Sequence, residues 1–253
     1  MCLSSLQCKI VYSFHFVEMM HHGVTTLELR IIYDYIVEND LDILCLTETW
    51  LHADQMDGSV ISQLCPPTHK ILSVPRLGHA GGVAMIYNSS LAVTPTVKDY
   101  RYLSFELLET KLIHGSKTIH VSTVYRPPPS TRNKLTVNLF IDEFSTYLEG
   151  LSTLSGHLIL CGDFNFHVDV GTNTHAQRFL EMTQSVNLRQ HVDTPTHAGG
   201  HTLDFLFSFD SDDLECHSHR LYNIRPFRSA CQSNHTRTDD THQVDPVQET
   251  QQH

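Results

Sequence analysis

The residues best suited to chemistry gather between His157 and Asp169. Asp163, Asn165, His167 and Asp169 occupy every second position there, directly after a short apolar run. Leu158 to Cys161 is too short for a typical helix and Gly162 ends it, so it reads as a buried strand. An extended backbone continuing past Gly162 would put the four polar side chains on one side. A carboxylate and a carboxamide at the exit of a buried strand suit metal-assisted hydrolysis. The carboxylate positions or deprotonates a water, and the amide holds a substrate oxygen. Gly-Asp by itself would be only a strand followed by a polar turn, so the chemical reading depends on the rest of the chain.

Two more strand exits and the inside of a third strand carry reactive groups. Leu41 to Leu51 is a continuous apolar run that delivers Glu48 at its end. Alone, Glu48 would be an N-cap or an edge charge. A second run ends in Val124-Tyr125-Arg126-Pro127-Pro128-Pro129, placing Tyr125 at a strand exit, where the prolines shape a loop rather than a PxxP ligand. The third, Thr194 to Phe207, reads as a glycine turn followed by an apolar strand with Asp204 inside it. A carboxylate there needs a partner, because burying an unpaired charge is costly. We expect Glu48, Tyr125, Asp163 and Asn165 to converge. Asp204 should face them, partnered by water, a hydroxyl or His201.

The elements that must position these groups follow from periodicity. Lys9 to Val17 suits a first strand, and Thr25 and Thr26 cap a helix from Leu27 to Ile36 that Asn39 and Asp40 end. Gly58 to Cys65 suits a short helix, Lys70 to Val74 a strand, and Gly81 to Tyr87 a strand opened by glycines that permit close backbone approach. Phe105 to Ile113 and Thr118 to Tyr125 form a hairpin around Gly115. Asn133 to Gly150 and Ala176 to Val186 are helical in pattern. Trp50, the only tryptophan, reads as a core plug.

The bulk numbers narrow the function classes. A net charge of −11 over 253 residues does not draw nucleic acid in, so any such contact needs a local basic patch. The seven cysteines are an odd number with no CxxC pair, which fits a reducing compartment without structural zinc. Cys45 and Cys161 lie in apolar runs and should pack as small hydrophobes. His217 and His219 form a spaced pair in a polar tail, where solvation is the ordinary fate. No signal peptide and no apolar run of membrane length is visible. The expected location is intracellular, nuclear or cytoplasmic, with no membrane partner. Residues 8–208 form the expected domain, and 209–253 a divergent, disordered tail.

Five segments, in this order, resemble the endonuclease/exonuclease/phosphatase superfamily. They are Leu44-Cys45-Leu46-Thr47-Glu48-Thr49-Trp50, Gly81 to Tyr87, Val124 to Pro128, Gly162 to Asp169, and Pro195 to Asp204. The nearest resemblance is to the endonuclease domain of LINE-type (non-LTR) retrotransposons, relatives of apurinic/apyrimidinic endonucleases, over roughly residues 25 to 208. It implies a four-layer α/β sandwich, two mixed β-sheets packed face to face with helices outside. It also implies a Mg²⁺- or Mn²⁺-dependent nuclease with DNA as substrate. Under that resemblance Glu48 ligates the metal, Asp163 activates water and Asn165 holds the scissile phosphate. Tyr125 contacts the phosphate or the leaving oxygen, Thr196 supports the site, and Asp204 orients a histidine that arrives later in the chain.

Two pieces of the family pattern are missing. No asparagine precedes Asn39, although the family carries one on its first strand. No Ser-Asp-His follows Asp204, which leaves the fold's last strand unaccounted for. Ser233-Asn234-His235 has polar flanks and does not read as its replacement. These gaps predict impaired activity. The competing reading is a non-catalytic retrotransposon-derived remnant that retains the fold. A phosphoinositide or sphingolipid phosphodiesterase ranks below both.

Overall fold

A computed structural model describes residues 10–15, 26–52, 57–75, 81–96, 101–168, 171–197 and 199–212. These residues all belong to one compact unit, Met1–Leu221. The strands are β1 (Ile10–His15), β2 (Ile43–Thr47), β3 (His69–Val74), β4 (Val83–Asn88), β5 (Ala92–Pro95), β6 (Glu106–His114), β7 (Lys117–Tyr125), β8 (His157–Asp163), β9 (Leu188–Gln190) and β10 (Asp204–Phe209). The helices are α1 (Thr26–Glu38), α2 (Asp57–Leu64), α3 (Val137–Leu151) and α4 (Thr174–Ser185).

Two sheets form, in the orders β1-β2-β4-β3 and β5-β6-β7-β8-β10-β9. Each has one parallel pair, β1 with β2 and β7 with β8, and is otherwise antiparallel. Three apolar clusters show the layering. Ile43, Cys45, Val83 and Met85 of the first sheet pack with Val121, Ile159, Cys161 and Leu206 of the second. The opposite face of the first sheet, with Leu44, Leu46 and Ile86, buries Leu29, Ile32 and Ile36 of α1. The opposite face of the second, with Leu158, Leu160 and Phe207, buries Phe140 and Phe144 of α3 and Phe179 of α4. The result is helix, sheet, sheet, helix, an α/β architecture as the sequence predicts. Continuous apolar strands such as β2 and β8 follow from it, because both of their faces are covered.

Cys45 and Cys161 are fully buried free thiols in the inter-sheet layer. Hydrogen bonds with Cys161 and Thr123 pull the Cys45 thiol below its usual range despite burial. No helix among the described residues is long and apolar enough to cross a membrane.

The structure differs from the sequence expectation in several places. The third helix starts at Val137, not Asn133. Asn133 instead ties a turn, its Oδ1 accepting from Ser130 N and Leu135 N, and Thr136 caps the helix by accepting from Leu139 N. Strands β5 and β9 were not anticipated. The first is short and exposed along most of its length, and the second has only three residues. Trp50 is half-buried rather than a core plug. Chain extension ends at Asp163, and Asn165 has a left-handed backbone with φ of 51°. Phe164 and Phe166 are buried in the aromatic layer around α3 and α4, which turns the chain and breaks the expected alternation. Asp169, His217, His219 and Ser233 to His235 lie outside the described residues.

Candidate active site

One row of polar residues crosses the six-stranded sheet. Glu106 pairs with Tyr125, Tyr125 with Asp163, and Asp163 with Asp204, in register on four neighbouring strands. The tight turn at Gly115-Ser116 fixes the first pairing, since a two-residue connection sets hairpin register. Gly162 permits the second. Its φ is +143°, and a Cβ there would lie 1.8 Å from Val124 O. Glu48 comes from the other sheet, just past β2, and the Tyr125 hydroxyl donates to its Oε1. Glu48, Tyr125, Asp163 and Asp204 are all buried.

The turn after β8 is tightly held. Asn165 donates its backbone N–H and its Nδ2 to the two Asp163 carboxylate oxygens, each at 2.9 Å. The same Nδ2 donates to Arg126 O at 2.8 Å. Arg126 returns the grip: its backbone N donates to Asp163 O, and its guanidinium donates to Phe164 O at 2.9 Å and Asn165 O at 3.2 Å. That guanidinium is buried and lies over the rings of Phe166 and Phe140, at 4.1 and 5.1 Å from their centroids. Such stacking suits a delocalised, weakly hydrated cation. Sequence reasoning missed Arg126 as a site residue. The available signal was an arginine directly after Tyr125, in a strand exit too apolar to leave a charge idle.

The turn after β2 is held by different means. Glu48 and Trp50 have φ of 52° and 54°. Thr49 N and Trp50 N donate to Gly82 O and Gly81 O at 3.1 and 2.8 Å, and Gly82 N donates to the Glu106 carboxylate. A Cβ on Gly82 would meet Thr49 Oγ1 at 2.6 Å, so the glycine pair does allow close backbone approach. Glu106 was also missed, because it looks like an ordinary charge at the start of a hairpin strand.

Thr196 and Asp204 meet through the backbone. Thr196 Oγ1 accepts from Leu203 N at 2.9 Å and from Asp204 N at 3.0 Å. His201 folds back so that its carbonyl accepts from Thr196 N and His197 N. Its ring packs edge to face on His167 with centroids 4.5 Å apart.

Burial, the charge of Asp204 and that of Glu48 push the Asp163 carboxyl well above the usual range, against hydrogen bonds from Asn165 that pull it down. Burial and the Glu48 carboxylate raise the Tyr125 phenol, so its hydroxyl keeps its proton. Burial lowers Arg126 to about 10, which still leaves it charged at neutral pH.

Residues 25–219 match the Endonuclease/Exonuclease/phosphatase family. The chain belongs to that family. Solved structures share its fold. An AP endonuclease from Leishmania major is 16% identical over 78% of this chain and 77% of its own, with a TM-score of 0.58. A mannosyl-6-phosphatase from Bacteroides thetaiotaomicron is 13% identical over 80% of this chain and 85% of its own, with a TM-score of 0.55. D. rerio TDP2 complexed with single-strand DNA product is 10% identical over 79% of this chain and 82% of its own, with a TM-score of 0.54. No curated protein matches the sequence.

Members of this family generally depend on a divalent metal. Among the described residues no three His, Cys, Asp or Glu side chains gather into an ion-binding group. A magnesium ion does not require one, because it keeps several waters and takes one or two carboxylates. The donor set fits a hard cation: the carboxylates of Glu48 and Asp204 both act electrostatically on Asp163, and all three are buried. On the first strand, the residue in register beside Thr47 is His15.

Proposed function

We propose that this chain is a divalent-metal-dependent phosphodiester hydrolase that acts on DNA, descended from the endonuclease of a LINE-type retrotransposon and weakened in turnover. The observation that carries this reading is the convergence of Glu48, Tyr125, Asp163 and Asn165 at one end of the two sheets. The DNA substrate is favoured by the AP endonuclease and the DNA-bound TDP2 among proteins of the same fold. The retrotransposon descent is favoured by Val-Tyr-Arg-Pro-Pro and Thr-Leu-Asp.

In this reading Glu48 holds Mg²⁺ or Mn²⁺, and the metal supplies charge neutralisation at the phosphate. Asp163 accepts a proton from the attacking water. Asn165 is oriented by Asp163 and Arg126 O, and its amide would hold a non-bridging phosphate oxygen by exchanging one of those two bonds. Tyr125 keeps its proton, fixes Glu48 and contacts the phosphate or the leaving oxygen. Thr196 supports the Asp204 backbone, and Asp204 sets the charge at the far end of the row. Donors placed before the reaction act where charge develops, which is the efficient arrangement.

The second reading, a remnant that keeps the fold without catalysis, is favoured by the absence of asparagine from Ile10–His15 and of Ser-Asp-His from the chain. Plasmid nicking by purified protein separates the two. We expect slow nicking that requires Mg²⁺ and disappears with EDTA and in Asp163→Ala. No Mg²⁺-dependent nicking above the Asp163→Ala background would establish the remnant.

A further inference from the structure

Glu48 is held at its backbone and at its carboxylate, and one residue bears on both. Its backbone lies in the left-handed region at φ of 52°, and Trp50 follows at 54°. Residues other than glycine persist there only where the surroundings over-determine them. Here Thr49 N and Trp50 N donate to Gly82 O and Gly81 O, at 3.1 and 2.8 Å, and Gly82 N donates in turn to the Glu106 carboxylate. The Glu48 carboxylate accepts from the Tyr125 hydroxyl. Tyr125 is the cross-strand partner of Glu106, in the register of the β6–β7 hairpin. Glu106 thus bonds the peptide that holds the Glu48 backbone and stands beside the residue that holds the Glu48 carboxylate.

The Glu106 bond also spans the two sheets. Glu106 opens β6 of the six-stranded sheet, and Gly82 directly precedes β4 of the four-stranded one. Glu48 comes from the four-stranded sheet, whereas Tyr125, Asp163 and Asp204 come from the other. The Glu106–Gly82 bond therefore fixes the loop beside Glu48 against the sheet that carries the rest of the site. Groups that orient a metal's ligands are worth about 10–100-fold in metal affinity without touching the ion.

We propose that Glu106 is a positioning residue that sets the divalent-cation affinity of Glu48 through its bond to Gly82 N. The inference rests on the reading of Glu48 as the metal ligand. Glu106 acts by its reach rather than by its charge. Its carboxylate must extend from β6 to the Gly82 N–H, and the Gly81 and Gly82 carbonyls then keep Thr49 and Trp50, and with them Glu48, in the bent backbone.

Two variants separate reach from charge. Glu106→Asp keeps the charge but is one methylene shorter, and Glu106→Gln keeps the length and an accepting oxygen but loses the charge. Each is titrated with Mg²⁺ in a calorimeter beside the unmodified chain. Glu106→Asp should bind Mg²⁺ at least about 10-fold more weakly, and Glu106→Gln within about 3-fold of the unmodified chain. Amide hydrogen exchange of the same proteins in EDTA locates the change. In Glu106→Asp the Thr49 and Trp50 amides should exchange faster, while the Asn165 amide, bonded to Asp163 in the other turn, keeps its rate. A merely structural role would speed all three amides together and overturn the inference. So would a loss of affinity in Glu106→Gln as large as in Glu106→Asp, because charge would then be what matters. Unchanged Mg²⁺ binding by Glu106→Asp overturns the inference while the metal reading stands. An unmodified chain that binds no Mg²⁺ overturns both.

Discussion

Two turns build the site, and both bend through a left-handed residue, Asn165 at φ of 51° and Glu48 at 52°. They are stabilised in opposite ways. The Asp163–Asn165 turn is secured by hydrogen bonds among neighbours in sequence and by one buried cation from the adjoining strand. The Glu48–Trp50 turn is secured by distant pieces: the Gly81-Gly82 backbone, the Glu106 carboxylate and the Tyr125 hydroxyl. The first is a rigid local unit, and the second is only as well placed as the packing of the two sheets. If the comparison is sound, damage at the first turn should act mainly on folding, and damage at the second mainly on the proposed metal site.

The largest effect is expected at Gly162. Adding a Cβ at φ of +143°, 1.8 Å from Val124 O, forces β7 and β8 apart in the middle of the sheet. Backbone cannot yield there as a side chain can. Gly162→Ala should cost more than about 4 kcal/mol, in the exceptional class of single substitutions, and leave little soluble protein. Expression yield and thermal unfolding measure it. A stable, soluble variant would mean that the β7–β8 pairing is looser than its register implies.

Arg126 comes next. Arg126→Met keeps a stem against Phe140 and Phe166 but leaves Phe164 O and Asn165 O without their donor. Hydrogen bonds to charged groups are worth about 1.5–3 kcal/mol each, so a loss of about 3 kcal/mol in urea unfolding is expected. Arg126→Lys should recover little, because a point charge cannot match two carbonyls and two ring faces at once. Full recovery by lysine would show that charge alone holds the turn.

Gly82→Ala probes the other turn. Its added Cβ meets Thr49 Oγ1, a side-chain atom that can rotate, so the stability loss should be about 1–3 kcal/mol and smaller than at Gly162. Mg²⁺ affinity, read by calorimetry, should fall by more than stability does. Equal effects of Gly162→Ala and Gly82→Ala on folding would dissolve the contrast between the turns.

The same contrast explains what was legible in the sequence. Asp163 and Asn165 sit two residues apart after an apolar run, so their closeness can be read from local spacing. Glu48 and Tyr125 are legible as polar residues at apolar strand ends, and Asp204 as a carboxylate inside an apolar run, because burial of a polar group demands a reason. Glu106 carries no such mark. Its importance comes from register with Tyr125 and from reaching Gly82 across the sheets, and neither is local. Arg126 was hidden by the prolines after it, which draw attention to a loop while the guanidinium turns inward. The short β5 and β9 escaped because three or four residues show too little periodicity to outweigh their polar surroundings.

The smallest predicted effect separates the turns by charge. Asp163 is buried beside Asp204, and its carboxyl is pushed above the usual range by burial first and by Asp204 second. A carboxyl whose folded value is raised stabilises the fold below its unfolded pKa, and that contribution is lost as pH rises through the folded value. Without metal, ionising the buried Asp163 therefore costs stability as pH rises through its folded value. Asp163→Asn removes the charge while keeping an oxygen for the Asn165 N–H. It should raise the metal-free unfolding midpoint modestly at neutral pH, with the gain shrinking toward acid pH and activity lost throughout. Glu48→Gln should bring no such gain, because it weakens the acceptor of the Tyr125 hydroxyl, one of the distant groups that secure this turn. Unfolding midpoints of both variants in EDTA, from pH 4 to 8, decide it. If Asp163→Asn is less stable than the parent at neutral pH, the Asn165 bonds outweigh the buried charge, and the first turn is held by that carboxylate rather than in spite of it.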